Sequence, residues 1–324
     1  MDQQQNIGLH VSFAGLTLAT PLVLLSGCVG FGEDLLALEG FDFSQIGAIC
    51  LKGTTLEPRR GNPPHRLAET TGGLLNAIGL QNPGARHVTG SILPRLLAQL
   101  RARADGQGVH LIANVAGATT DEYAEVARIF DDSPVAALEI NISCPNVKEG
   151  GMAFGSDPRM AAQVVAAVRR VTRKPIITKL SPNVTSIRTI ARAALEAGTD
   201  AFAAINTLTG MAIDRHTRRP VLANVTGGLS GAAIKPVALL KVWEVYQEVA
   251  PHHCPIIGQG GVVNADDAVD FLIVGATAVG LGTVLFRHPL VAGDINQGMH
   301  SYLNQHNLKH VGEVTGTLRV CMPP

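Results

Sequence analysis

Eight short apolar runs, each closed by a glycine or a polar residue, leave this chain very few architectures to choose from. They are Leu22–Leu25, Ile46–Leu51, Val109–Ala113, Ala136–Ile140, Lys174–Thr178, Ala201–Ile205, Pro255–Gly258 and Ala278–Leu281. Strands that are apolar almost throughout, with no polar face, are those covered on both sides, as in parallel sheets. Helical periodicity separates them: from Asp34, over Leu93–Ala104 and Asp121–Phe130, from Asp157 to about Val171, over Val184–Ala197, from Gly231 to about Val249, and over Asp266–Gly275. Asp157 followed by Pro158 reads as an N-cap with proline at the first helical position. Strand then helix, repeated through the chain, predicts an α/β fold of the (β/α)8 TIM-barrel type, with residues 1–324 forming a single domain. Residues 7–19 alternate around Ala14-Gly15 and predict a short N-terminal β-hairpin that plugs one end of the barrel. Long loops are expected after strands two (Gly53–Gly84), four and six (Leu208–Ser230), and loops of that length in a compact domain are usually functional.

In such a barrel the carboxyl ends of the strands form one rim, where active sites lie. Here those ends carry Ser26 and Gly27, Lys52, Asn114, Asn141 with Cys144, Lys179, Asn206 with Thr207, Gly260 with Gly261, and Gly282 with Thr283. Glycines after strands seven and eight leave backbone N–H groups open to a phosphate, and Gly228-Leu229-Ser230-Gly231 at another helix start adds donors. This points to a phosphate-bearing cofactor lying across the strand ends. Lys52 and Lys179 are placed to stabilise a reduced, anionic ring. Asn76, Asn141, Asn146 and Asn206 each offer a donor and an acceptor, a set suited to a flat ligand bearing amides and a carboxylate. No carboxylate cluster accompanies them, so no metal site is expected.

Cys144 is the candidate general base. It follows the fourth strand, Pro145 biases it toward extended backbone, and the glycine-rich stretch from Val147 to Gly155 suits a loop that closes over substrate. A free thiol has a reference pKa of about 8.5, so this role requires surroundings that favour thiolate. The other cysteines, Cys28, Cys50, Cys254 and Cys321, read as packing or surface residues, with Cys28 beside the ring. His252-His253-Cys254 precedes strand seven and belongs to the opposite end of the barrel from the rim.

Charge and cysteine usage narrow the partners. Basic and acidic residues balance at 26 each with no basic run, which gives no nucleic-acid footprint. Five scattered cysteines without Cys-x-x-Cys spacing offer neither a disulfide framework nor a zinc or iron-sulfur site, and favour a reducing, cytoplasmic setting. The polar stretch Met1–Gln5 lacks the pattern of a signal peptide, and the longest charge-free apolar stretch, Phe271–Phe286, is too short and too rich in glycine to span a bilayer.

Six runs carry a resemblance. Lys-Gly-Thr-Thr-Leu-Glu-Pro-Arg (52–59), Leu-Asn-Ala-Ile-Gly-Leu-Gln-Asn-Pro-Gly (75–84), Asn-Ile-Ser-Cys-Pro-Asn (141–146), Lys-Leu-Ser-Pro-Asn (179–183), Ile-Asn-Thr-Leu-Thr-Gly-Met-Ala-Ile-Asp (205–214) and Gly-Gly-Leu-Ser-Gly (227–231) resemble, in this order, the dihydroorotate dehydrogenases of pyrimidine synthesis. Cysteine at position 144 is similar to the soluble class 1 enzymes, the membrane-associated class being expected to carry serine there. The 75–84 run and Thr-Arg-Arg-Pro at 217–220 are most like the NAD-linked subclass (class 1B).

The resemblance implies FMN in the barrel mouth, contacted by Ser26, Gly27, Lys52, Asn114, Asn141, Lys179, Ile205, Gly231, Gly260, Gly261, Gly282 and Thr283. It further implies dihydroorotate held by Asn76, Asn141, Asn146, Asn206 and Thr207, with Cys144 taking the C5 proton while the C6 hydride passes to flavin N5. A homodimer core with a second subunit carrying FAD and a [2Fe-2S] cluster would pass the electrons to NAD. Two positions depart from the pattern: Cys28-Val29 stands where Thr-Phe is usual, and Ala232 where proline is expected. The rival readings are a fumarate-linked homodimer, a non-redox phosphate-binding barrel and a pyrimidine-reducing flavoprotein.

Overall fold

Each of the eight apolar runs is a strand: Leu22–Leu24, Ala48–Cys50, His110–Val115, Ala137–Asn141, Ile176–Lys179, Ala201–Ala204, Ile256–Gln259 and Ala278–Leu281. In the computed structural model, which describes residues 8–143 and 151–320, they close into a barrel in chain order, each parallel to its neighbours and the eighth pairing with the first. Cys144, Asn146 and Cys321 lie outside the described residues.

Partners across a ladder share a face of the sheet. The register pairs Ile112 with Ala137, Asn114 with Glu139, Asn141 with Lys179, Lys179 with Ala203, and Gln259 with Gly280. The inward face is therefore apolar toward the amino ends of the strands and polar toward their carboxyl ends. Asn114, Glu139, Asn141, Lys179 and Gln259 form that polar layer, all buried.

Helices follow the strands where periodicity places them: Leu93–Ala102, Thr120–Asp131, Pro158–Arg169, Ile187–Glu196, Lys235–Val249 and Ala265–Ile273; a further helix, Val291–Gln305, follows strand eight and is one the periodicity did not single out. Asp157 accepts from the backbone N–H groups of Arg159 and Met160, the N-cap expected of it, and Thr119, Ser186 and Asn264 cap in the same way. Two elements differ from expectation. The helix after strand one is only Glu33–Leu36, and the one after strand two begins earlier, at Ala85, running through Val88–Ile92 before Leu93.

The hairpin forms from Val11–Phe13 and Leu16–Leu18, with Ala14 (φ 49°) and Gly15 (φ 81°) supplying the left-handed turn that matches strand twist. Phe13 and Leu18 are buried, and a Cβ on Gly47, just before strand two, would come 2.7 Å from that of Leu18. The hairpin thus seals the amino end of the barrel. His252 and His253 are exposed at that end, where His253 and Cys254 border a hollow with Arg173 and Tyr246.

The two long excursions after strands two and six are largely ordered strand rather than loop. Leu208–Met211, Thr226–Ser230, Gly73–Asn76 and Leu67–Thr70 make one four-stranded antiparallel sheet, so the two excursions pair with each other across the barrel mouth. Glycine is required for the close approach: a Cβ on Gly228 would overlap the Thr207 side chain at 2.0 Å. Among the described residues no helix is long and apolar enough to cross a membrane.

Candidate active site at the barrel mouth

Between the carboxyl ends of the strands and this sheet lies a cavity of roughly 770 Å³, within the usual range for small-ligand sites. Its wall includes Ser26, Gly27, Lys52, Asn76, Asn141, Lys179, Ile205, Asn206, Thr207, Gly231, Gly260, Gly261, Gly282 and Thr283. Every described candidate residue is on that wall except Asn114, whose side chain lies behind Gly53, where a Cβ would meet its Oδ1 at 2.9 Å.

One end of the cavity is backbone. Gly231, Gly260 and Gly261 have φ of 99°, 126° and 95°, a region that L side chains avoid. A Cβ on Gly261 would lie 2.8 Å from that of Lys235 and 2.9 Å from its nitrogen, so the turn packs directly on the first residue of the helix Lys235–Val249. Thr283 Oγ1 bonds Ser230 Oγ at 2.8 Å and ties the end of strand eight to the covering sheet. A helix start wrapped in side-chain-free backbone is a cradle for an anion.

The other end is a chain of polar side chains with one direction. Asn206 Nδ2 donates to Ser143 Oγ (2.9 Å), Ser143 Oγ to Asn141 Oδ1 (3.2 Å), Asn141 Nδ2 to Asn114 Oδ1 (3.3 Å), and Asn114 Nδ2 to Glu139 Oε1. Every donor points toward Glu139, which also takes the Lys179 ammonium at 3.3 Å and the Cys50 thiol at 3.3 Å. Asn206 Oδ1 accepts from Thr207 N at 2.8 Å, and Asn183 holds this turn by donating to Thr207 O and accepting from Thr209 N. Tyr123 OH fixes the carbonyl of Asn141 from the helix side at 2.7 Å. Ser143, the residue before Cys144, is thereby anchored in the network.

Burial lowers the pKa of the Lys179 ammonium, but Glu139, with smaller contributions from Cys50 and Cys28, outweighs this and the net shift is upward. The lysine is therefore charged. Burial pushes the Cys28 thiol up to about 11, against the opposing pull of Lys179 and Lys52, so this cavity-wall cysteine is an uncharged thiol near neutral pH.

Glu139, Ser143, Asn183 and Gln259 are the network members that motif reading passed over. A signal for Glu139 and Gln259 was present: a charged or amide side chain inside an otherwise apolar strand, in step with the inward-facing positions. Gln259 Nε2 donates to Ile205 O at 2.9 Å, which leaves its buried Oε1 without a protein partner on the cavity wall. Among the described residues no three His, Cys, Asp or Glu side chains are grouped to hold a metal ion.

Comparison with known proteins agrees with this geometry. The family model for dihydroorotate dehydrogenase matches residues 8–303. Two catalytic subunits named dihydroorotate dehydrogenase B (NAD(+)), from Desulforudis audaxviator and Pelobacter propionicus, are each 50% identical to this chain. The first match covers 94% of this chain and 96% of the relative, the second 96% and 98%. A similar subunit from Bacteroides thetaiotaomicron is 46% identical over 96% of this chain and 99% of its own. The dihydroorotate dehydrogenase of Eimeria tenella, solved in complex with ferulenol, shares the fold with a TM-score of 0.79 at 24% identity, over 98% of this chain and 90% of that one. With half its residues shared across nearly the full length of such relatives, and the barrel to match, this chain belongs to the dihydroorotate dehydrogenase family of oxidoreductases and is similar to its NAD-linked catalytic subunits.

Proposed function

We propose that the protein, as a single FMN-binding barrel over residues 1–324, oxidises dihydroorotate to orotate in the synthesis of UMP. The observation that carries this reading is that one cavity joins a glycine cradle at one end to a carboxamide network and a buried lysine at the other. The fit to FMN rests on that wall. The cradle around Gly231, Gly260, Gly261, Gly282 and Thr283 suits the phosphate, and Gln259 Oε1 is a buried acceptor still without a partner. Ser26, Gly27, Lys52, Asn141, Lys179 and Ile205 would hold the ring, with Asn114 acting from behind them through its bond to Asn141. When bound, FMN supplies the two-electron acceptor, its N5 receiving the hydride from C6 of the substrate.

The chain's own residues do the rest. Asn76, Asn141, Asn146, Asn206 and Thr207 hold the flat pyrimidine by its amides and carboxylate, and Asn206 is pre-oriented by its bonds to Ser143 and Thr207. Cys144 takes the proton from C5, next to a carbonyl, as the C5–C6 double bond forms; the proton goes to sulfur and the hydride leaves from C6. The four-stranded sheet covers one side of the mouth and narrows the access of water. Electrons then leave through a second subunit carrying FAD and a [2Fe-2S] cluster to NAD, the barrel itself forming a homodimer in the cytoplasm.

The test is an anaerobic visible spectrum of the chain purified alone, before and after dihydroorotate is added. A bound flavin that bleaches supports the cofactor and half-reaction together, and a separate sample of oxidised flavin that NADH reduces only with the second subunit present supports the electron route. A flavin that stays oxidised, or none after reconstitution with FMN, overturns the reading. The cradle makes its own prediction. Gly261→Ala forces a side chain into the left-handed region at about 1–2 kcal/mol and against Lys235. FMN titration of the apoprotein is expected to show roughly tenfold weaker binding, and unchanged affinity would place the phosphate elsewhere.

A further inference from the structure

We propose that Glu139 is a positioning residue for the flavin reaction: it holds Lys179 charged at the cavity wall and orients the hydrogen-bond chain that runs through Asn114 and Asn141 to Ser143. The inference rests on the FMN reading. Glu139 is 1% exposed and is not on the cavity wall, so it acts through its neighbours.

A carboxylate can only accept. Asn114 must therefore turn its Nδ2 toward Glu139, which leaves Asn114 Oδ1 to receive Asn141 Nδ2, Asn141 Oδ1 to receive the Ser143 hydroxyl, and Ser143 Oγ to receive Asn206 Nδ2. The anion selects the orientation of Asn114 and through it Asn141, in agreement with the Thr207 N–H that orients Asn206 at the other end, and aligned bonds of this kind polarise one another.

The second effect is on charge. The groups facing Lys179 are Glu139 from strand four, Cys50 from strand two and Cys28 from the loop after strand one, with Lys52 on the same cavity wall. Burial keeps both thiols protonated near neutral pH, so Glu139 is the one anion beside the ammonium among these groups. Its loss removes the main influence keeping a buried ammonium protonated and leaves desolvation to act alone. Lys179 in Glu139→Gln is then unneutralised at low pH and loses its proton at a lower pH than in the wild type.

The experiment is the midpoint potential of bound FMN against pH, by anaerobic spectroelectrochemistry on the reconstituted protein. Five chains are compared: wild type, Glu139→Gln, Glu139→Asp, Lys179→Met and the double variant. The expected result is that Glu139→Gln has a more positive potential than wild type on the acid side, with an added downward break as pH rises, and that this difference vanishes in the Lys179→Met background. Glu139→Asp, which keeps the charge, is expected to restore the wild-type profile. Superimposable wild-type and Glu139→Gln profiles would overturn the inference, as would a Glu139→Gln shift that persists without Lys179. If Glu139→Gln alone does not fold, the double variant against Lys179→Met still decides it, since equal potentials support action through the lysine and unequal ones overturn it. Wild-type protein that binds no FMN would remove the functional reading and this inference together, whereas flavin bound with unchanged potentials would remove the inference alone.

Discussion

Replacing Cys144 with alanine is expected to leave flavin binding and orotate binding near wild-type levels and to cut dihydroorotate oxidation by roughly 10²–10⁴-fold, the range that general bases contribute. The side chain removed is small and follows Ser143, whose hydroxyl is held by Asn141 and Asn206. Carboxamides left intact keep the pyrimidine bound, but no group then receives the C5 proton. The loss is expected in the rate of flavin bleaching under single-turnover conditions, with the orotate dissociation constant little changed. Bleaching within tenfold of the wild-type rate would move the base to another residue.

The second large effect falls on stability. Lys179→Met removes the counter-charge of Glu139, whose other oxygen, Oε2, already lacks a protein partner. Breaking a buried pair from one side costs about 3–5 kcal/mol, so the melting temperature is expected to fall by about 10 °C. The sign with pH follows from the lysine. Its folded pKa is raised, so its stabilising contribution is present throughout the neutral range and is lost only as pH rises through that raised value, in strongly alkaline solution. Adding Glu139→Gln to Lys179→Met is expected to recover part of the lost stability, because a neutral pair leaves no orphan charge. Thermal melts from pH 5 to 9 check both points; a Lys179→Met protein as stable as wild type would show that the pair contributes nothing net.

Both effects depend on a layer of the barrel that was only half legible. Lys52, Lys179, Asn141 and Asn206 stood out because each ends an apolar run, and a residue in that position on a parallel barrel reaches the rim for a local, backbone-determined reason. Glu139 stood out less because it lies two residues inside its run, where an acidic side chain carries no information about its partners. Those partners come from three other strands: Cys50, Asn114 and Lys179. Asn114 illustrates the same limit from the other side. Its place at a strand end suggested a wall residue, and the structure puts it one layer down, bridging Asn141 to Glu139.

What the sequence by itself determined was the barrel and its rim. Strand and helix periodicity, caps such as Asp157, and the glycines and amides that end each strand all act within a few residues of themselves, so order along the chain is enough to place them. What only the tertiary structure decided was how distant segments meet. The excursions around Gly73–Asn76 and Thr226–Ser230 look like glycine-rich loops because their strand partners lie some 150 residues apart in the chain, and short strands gain hydrogen bonds only once the barrel has brought them together. The direction of the polar chain is tertiary in the same sense. An asparagine reads the same whichever way its amide points, and the Glu139 carboxylate at one end of the chain and the Thr207 N–H at the other select one way.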